Sequence, residues 1–168
     1  MENLWAPWRM RYIQDVDIKE GCVFCLAPKD TDDKKNHLIY RGKHNFVIMN
    51  IFPYNNGHLM IVPYEHTSSI DSLVDEAALE LWHLVRHAKN ALLESFNPEG
   101  FNIGMNLGRI GGAGIDEHIH MHIVPRWNGD TNFMPVIGQT KVISQSLEDA
   151  YDALKPHFDQ LKSYTAEP

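Results

Sequence analysis

The run His118-Ile119-His120-Met121-His122-Ile123-Val124 constrains this chain more than any other segment. Strict alternation of polar and apolar residues is the period of a strand, because successive side chains of an extended chain point to opposite faces. Three imidazoles therefore share one face, roughly 6.5 to 7 Å apart, and Ile119, Met121 and Ile123 take the other as core. The chain holds ten histidines, and at that frequency three at alternate positions arise in only about 0.03 of shuffled sequences, so chance is a poor explanation. A solvent-facing strand with a histidine-rich polar face is the plainest reading. Two chemical readings stand beside it. Three neutral imidazoles can bind a catalytic zinc with water in the fourth position, or one imidazole can attack an electrophile while its neighbours stabilise the developing charge.

The segments around that strand set the fold class. Residues 45–50 and 58–63 are apolar, β-prone runs separated by Pro53-Tyr54-Asn55-Asn56-Gly57, a hairpin connection by composition. From Asp71 to Phe96 apolar residues recur at three and four, until Asn97-Pro98-Glu99-Gly100 stops the run, which predicts one long amphipathic helix. Strands follow over 101–106 and 117–124, then a short apolar run at 141–143. A C-terminal helix opens at Ser146, with Asp149 completing a capping box, and its end from Lys155 onward reads as frayed. Short turns between strands, with helices inserted as blocks, predict an α+β domain: a mainly antiparallel sheet of about five strands, one long helix and a C-terminal helix. The 168 residues suit a single domain, with 1–20 as an N-terminal extension and 127–168 as a C-terminal one. Trp82, Trp127 and Phe133 are expected in the core or an interface.

Composition narrows the partners. A formal charge of -7 argues against a nucleic-acid binder, whose affinity is carried mainly by Lys and Arg. No run approaches the roughly 18 apolar residues of a membrane span, and the opening residues lack the apolar stretch of a signal peptide. The expectation is a cytoplasmic chain with no membrane contact.

Two further features adjoin the histidines. The connection 106–116 holds Gly108, Gly111, Gly112 and Gly114. Glycine lets backbone N–H groups approach an anion, so this loop is a candidate phosphate cradle, although it lacks the Gly-Lys-Ser/Thr ending of a P-loop. Cys22-Val23-Phe24-Cys25 is a C-x-x-C pair open to redox, zinc or coincidence; turn-like residues 26–33 after it argue against a thioredoxin-like helix start.

The His-x-His-x-His pattern with apolar x, followed by Ile123-Val124-Pro125-Arg126, resembles the signature of the histidine-triad (HIT) family of nucleotidyl hydrolases and transferases. The likeness runs from Cys22 to about Arg126, with Asn50 and Gly57-His58 on the upstream strands in the family's order. Trp5-Ala6-Pro7-Trp8-Arg9 and residues 125–135 resemble the branch that contains bacterial diadenosine tetraphosphate phosphorylases. The resemblance implies that His120 attacks the α-phosphorus of a nucleoside phosphate to give a histidine–nucleotide intermediate, and that a second acceptor, phosphate or water, resolves it. It implies that His122 contacts the non-bridging oxygens, with help from Asn106 and from the backbone at Gly112 and Gly114. Asn50 is assigned to the ribose hydroxyls and His58 to the orientation of His122. Zinc-containing members place the metal on residues that correspond to Cys22, Cys25, His66 and His118, which leaves His120 and His122 for the phosphate. A small-molecule nucleotide is the implied partner, and a homodimer the implied assembly. One departure is visible: relatives carry Ser or Gln shortly before the triad to assist the leaving group, where this chain has Gly114-Ile115-Asp116-Glu117. Asp116 or Glu117 either repels a polyphosphate there or, if protonated, serves as the acid.

Overall fold

The computed structural model describes residues 21–131, 137 and 142–161. The expected extension over 1–20, Phe133 and the tail beyond 161 lie outside them. Five antiparallel strands, β1 (Leu38–Arg41), β2 (Asn45–Met49), β3 (Leu59–Pro63), β4 (Gly100–Met105) and β5 (Met121–Arg126), form one sheet in the order β1-β2-β3-β5-β4. Helices α1 (Val23–Leu26), α2 (Asp75–Phe96) and α3 (Leu147–Asp159) complete the α+β architecture.

Both faces of the central strands are covered, which is why β2 and β3 read as nearly continuous apolar runs. Alternation splits them between two cores. Val47, Met49, Leu59, Ile61, Met121 and Ile123 face α2 and α3, meeting Leu81, Leu84, Ala88, Leu92, Leu154 and Phe158. Phe46, Ile48, Met60 and Val62 face the other way, onto Leu38 and Phe24. Each such burial contributes about 1.5–3 kcal/mol before chain entropy is subtracted. His118, His120 and His122 lie over this second, smaller core, buried and with Phe24 against the rings of His118 and His120.

Two polar devices fix the frame. The buried Glu80 carboxylate on α2 accepts the backbone N–H groups of Lys43, His44 and Asn45 at 2.7, 2.7 and 2.8 Å and the Asn45 amide at 2.8 Å, which ties the β1–β2 turn to the helix. Gly57 in the β2–β3 connection has φ +70°, and a Cβ there would stand 2.8 Å from Leu92 Cδ2 and 2.9 Å from Phe96 Cε2. Only glycine lets the chain pass so close beneath α2.

Several boundaries differ from the periodicity. The helix α2 starts at Asp75, because the Ser69 hydroxyl accepts the Asp71 N–H and closes a separate 3₁₀ turn over Ile70–Ser72. The strand β5 starts at Met121, where pairing with both neighbours begins: Ile61 of β3 and Met105 of β4 stand opposite Met121. The Ser146 cap forms as expected, with the Asp149 N–H donated to Ser146 Oγ at 3.0 Å. Residues from Lys155 to Asp159 are regular helix and not frayed. Trp82 is 55% exposed, so the core placement does not hold for it. Among the described residues, no helix is long and apolar enough to cross a membrane.

Candidate active site and metal centre

His118, His120 and His122 are all buried, at 0%, 5% and 8% exposure. The alternation read from sequence holds through residues 118–120, which approach β5 without sheet pairing. Ile119 N–H is instead donated to the Thr67 carbonyl at 2.8 Å, which brings the segment beside His66. The rings of His120 and His122 meet edge to face with centroids 4.7 Å apart.

Backbone contacts assign the protons. The His118 carbonyl lies 2.9 Å from His120 Nδ1 and can only accept, so His120 carries its proton on Nδ1 and keeps the Nε2 lone pair. Burial pushes the His120 imidazole below its ordinary pKa, with the bond to the His118 carbonyl opposing in part, so the ring is neutral at neutral pH. A second chain of contacts fixes His122. The Tyr54 N–H is donated to His58 Nδ1 at 3.0 Å, which leaves the His58 proton on Nε2. That nitrogen faces His122 Nδ1 at 2.9 Å, so the His122 proton sits on Nε2. His58 and His122 thus form one ordered chain, against which the His120 ring packs edge to face.

Asn50 is buried at the end of β2. Its Oδ1 accepts the Phe52 N–H at 2.9 Å, and its Nδ2 stands 3.3 Å from His58 Nδ1, so this amide supports His58. In the glycine loop the Asn106 amide is donated to the Gly112 carbonyl at 3.3 Å. Gly112, with φ +89°, donates its N–H to the Arg109 carbonyl at 3.0 Å, and Ala113 donates to Gly108 at 3.2 Å. These two N–H groups close the turn, so the cradle is narrower than the glycine count suggests, with Gly114 standing outside those two bonds. Ile115 packs against the second core, and Asp116 is paired with Arg109 at 3.1 Å.

Cys22, Cys25, His66 and His118 converge. Their ligand atoms all lie within 4.8 Å of one another, and the group is able to hold a metal ion. Cys22 Sγ is 3.4 Å and Cys25 Sγ 3.6 Å from His118 Nδ1; Cys25 Sγ is 3.2 Å from His66 Nδ1, and the two Nδ1 atoms are 3.3 Å apart. Zinc at about 2.3 Å from sulfur and about 2.0–2.1 Å from nitrogen requires tetrahedral edges of roughly 3.5 Å and 3.3 Å. The observed sulfur–nitrogen and nitrogen–nitrogen spacings lie within about 0.3 Å of those edges. His118 Nε2 is donated to the Pro63 carbonyl at 2.8 Å, which turns its Nδ1 lone pair toward the cluster, as an oriented metal ligand requires. The donor set therefore fits zinc. It also separates His118 from the other two histidines, so a single zinc held by all three is not what the geometry builds.

Two residues near the histidines carried no signal in the sequence. Tyr54, read as part of a turn, lies over His58 at 4.6 Å between centroids and over His122 at 5.6 Å. Phe24, between the two cysteines, lies 4.8 Å from the His120 ring. Aromatic residues flanking a C-x-x-C pair or a turn read as ordinary core, and only the tertiary fold brings these two to the site.

Comparison with known proteins gives one consistent result. The HIT domain family model matches residues 31–129. An AP-4-A phosphorylase of Mycobacterium tuberculosis is 37% identical over 156 residues, 89% of this chain and 80% of that protein. An adenosine 5'-monophosphoramidase of Schizosaccharomyces pombe is 30% identical over 64% of this chain and 76% of its own length. A Zn-bound histidine triad family protein from Mycobacterium smegmatis superposes with a TM-score of 0.66 at 25% identity, covering 83% of this chain and 94% of that one.

Proposed function

The chain belongs to the HIT family, and from that premise we propose that it is a nucleotidyl-transferring enzyme that opens dinucleoside polyphosphates, diadenosine tetraphosphate foremost, at an α-phosphorus. His120 is the nucleophile. Its Nε2 lone pair forms the N–P bond as the P–O bond to the polyphosphate breaks, and the electron pair departs with that oxygen. Diadenosine tetraphosphate gives ATP and an AMP-bound His120. The imidazole becomes cationic in this step, and the His118 carbonyl on Nδ1–H stabilises that charge. His122 donates Nε2–H to a non-bridging oxygen, with its tautomer held by His58. Asn50 Oδ1 keeps a second lone pair for a ribose hydroxyl, and Asn106 with the Gly112–Gly114 turn borders the phosphates.

A second displacement then frees the nucleotide. Inorganic phosphate as acceptor yields ADP, and water yields AMP. The name of the mycobacterial relative supports phosphate, and measuring ADP against AMP with and without phosphate decides between them. An AMP-conjugate hydrolase is the second reading, supported by the yeast relative's name. The Arg109–Asp116 pair and the inward Ile115 favour the first, because a polyphosphate departs as an anion whereas an amine requires a proton donor.

The observation that carries the reading is that backbone contacts leave Nε2 as the unprotonated nitrogen of a buried, neutral His120. Its test is intact mass after brief exposure to diadenosine tetraphosphate: an adduct one AMP heavier is expected, and its absence from His120→Ala identifies the residue. A binding module with negligible turnover would give neither adduct nor product.

Zinc is proposed at Cys22, Cys25, His66 and His118. A closed four-ligand ion has no position for a reacting water, so it supplies stability to the turn and to the segment entering β5. A homodimer is proposed from the family resemblance. It is supported by the open β4 edge, where Asn102, Ile103 and Gly104 are exposed, and by exposed Leu79, Trp82 and Leu93 on α2. Light scattering tests it. The cytoplasm is the proposed compartment, where thiols stay reduced and available to metal.

A further inference from the structure

We propose that Phe24 is a positioning residue for His120, through which the metal-binding turn sets the orientation of the nucleophile. The proposal rests on the reading of His120 as that nucleophile.

The His120 ring has one backbone tether, its Nδ1–H on the His118 carbonyl. The χ2 torsion of histidine is broad, so a single bond at one nitrogen leaves the ring free to rock and swing Nε2 off line. Neighbours on two sides prevent this. The His122 ring stands edge-on at 4.7 Å, and the Phe24 ring leans on it at 4.8 Å with an interplanar angle of 48°. Phe24 also meets the His118 ring edge to face at 5.6 Å. It is 3% exposed, backed by Leu38, Phe46, Ile48, Met60 and Val62, so it presents a wall instead of a loose contact.

That wall stands on the cysteines. The helix α1 is four residues long and cannot hold itself together by its own hydrogen bonds. It is anchored by the Phe24 ring and by the two flanking thiols, which reach His118 at 3.4 and 3.6 Å and His66 at 3.2 Å. An ion held by Cys22, Cys25 and His118 would fix this turn, and with it the Phe24 ring, in its place against His120. The nucleophile is two residues from a metal ligand along the chain and is also touched from across the fold by the residue between the other two ligands. A Phe24 that served only as core filler would influence stability and leave the His120 ring where it is.

The test compares wild type, Phe24→Leu and metal-stripped wild type, all as full-length protein with ¹⁵N-labelled histidine. Phe24→Leu retains apolar bulk and removes the flat face. With zinc loaded to one ion per chain, it is expected to shift or broaden the His120 ring signals and to slow adduct formation roughly 10- to 100-fold with KM little changed, since misplacement of about 1 Å costs about that much. Metal-stripped wild type, folded at 25 °C, is expected to show the same change in the His120 ring signals. Unchanged ring signals and adduct rate in Phe24→Leu would overturn the positioning role, and unchanged signals on stripping would overturn the link to the metal. If Phe24→Leu fails to fold, Phe24→Met takes its place with the same two readouts, because metal removal also reaches His120 through the His118 carbonyl and tests the metal link alone. Should wild type form no adduct at all, the nucleophile reading fails by itself, and the spectra still report whether Phe24 orients the ring.

Discussion

Replacing Gly57 by alanine tests whether the β2–β3 connection is pinned beneath α2 as described. Two costs combine there. The backbone at φ +70° is left-handed, which costs an alanine about 1–2 kcal/mol. The new methyl would also stand 2.8 Å from Leu92 Cδ2 and 2.9 Å from the Phe96 ring, and overpacking of this kind costs about 1–3 kcal/mol. The sum is about 2–5 kcal/mol. Gly129→Ala is the internal control, because Gly129 has φ +76° and nothing within 4 Å of its hypothetical Cβ. It bears the conformational cost alone, about 1–2 kcal/mol. For a chain of this length each kcal/mol lowers Tm by about 2–4 °C, so Gly129→Ala should lose about 2–8 °C and Gly57→Ala about 4–20 °C. Only the second should also depress kcat, since displacement at 57 moves His58 and releases the proton order on His122. Calorimetry and steady-state rates on both variants provide the comparison. Equal melting losses, or a Gly57→Ala enzyme with unaltered kcat, would refute the packing argument.

Other expectations follow from the same geometry. His122→Ala should lower kcat by about 10²–10³, the usual loss of one preorganised donor to a developing anion, with nucleotide affinity little changed; a rate within threefold of wild type would remove His122 from the chemistry. Dialysis against a chelator should release one zinc per chain by elemental analysis. With zinc held at 1,000 times its Kd the linked stabilisation is about 4 kcal/mol, so Tm should fall by about 8–16 °C; an unaltered Tm would mean that the four ligands hold no ion. The Arg126 guanidinium, 2.5 and 2.8 Å from the two Asp130 oxygens, holds that carboxyl well below the usual carboxylate range, with the Trp127 N–H assisting. A folded pKa below the unfolded one gives stability that is present above the unfolded value, about 3.9, and is lost as pH falls toward the folded value. Asp130→Asn should therefore be less stable than wild type in urea at pH 7, and the gap should narrow once the pH drops below about 4. A gap independent of pH would show that the pair contributes nothing through charge.

The legible parts of this chain are those whose signal is local. Alternation at residues 118–124 survives in the structure because it is a property of extended backbone, whether or not the strand is paired at that point. The Ser146–Asp149 cap is likewise local and forms as its residue types dictate. The hairpin of β2 and β3 was visible from its turn residues and apolar runs. What escaped depends on partners distant in sequence. The strand β1 is four residues long and is defined by pairing with β2, so no periodicity announces it. The start of β5 is set by where β3 and β4 reach Met121. The engagement of the Gly112 N–H with Arg109 turns a suggestive glycine count into a closed turn. Tyr54 and Phe24 have side chains typical of a core, and their place against the histidines follows from topology alone. The residue types named for the site were readable, and the proton order that makes them chemically distinct required the backbone contacts.

The stereochemical course at the α-phosphorus tests the central claim most directly. With a dinucleoside polyphosphate made chiral at that atom by sulfur, and an isotopically labelled acceptor, two successive in-line displacements through His120 Nε2 predict overall retention of configuration. Inversion would mean that the acceptor attacks phosphorus in one step, and it would contradict the account.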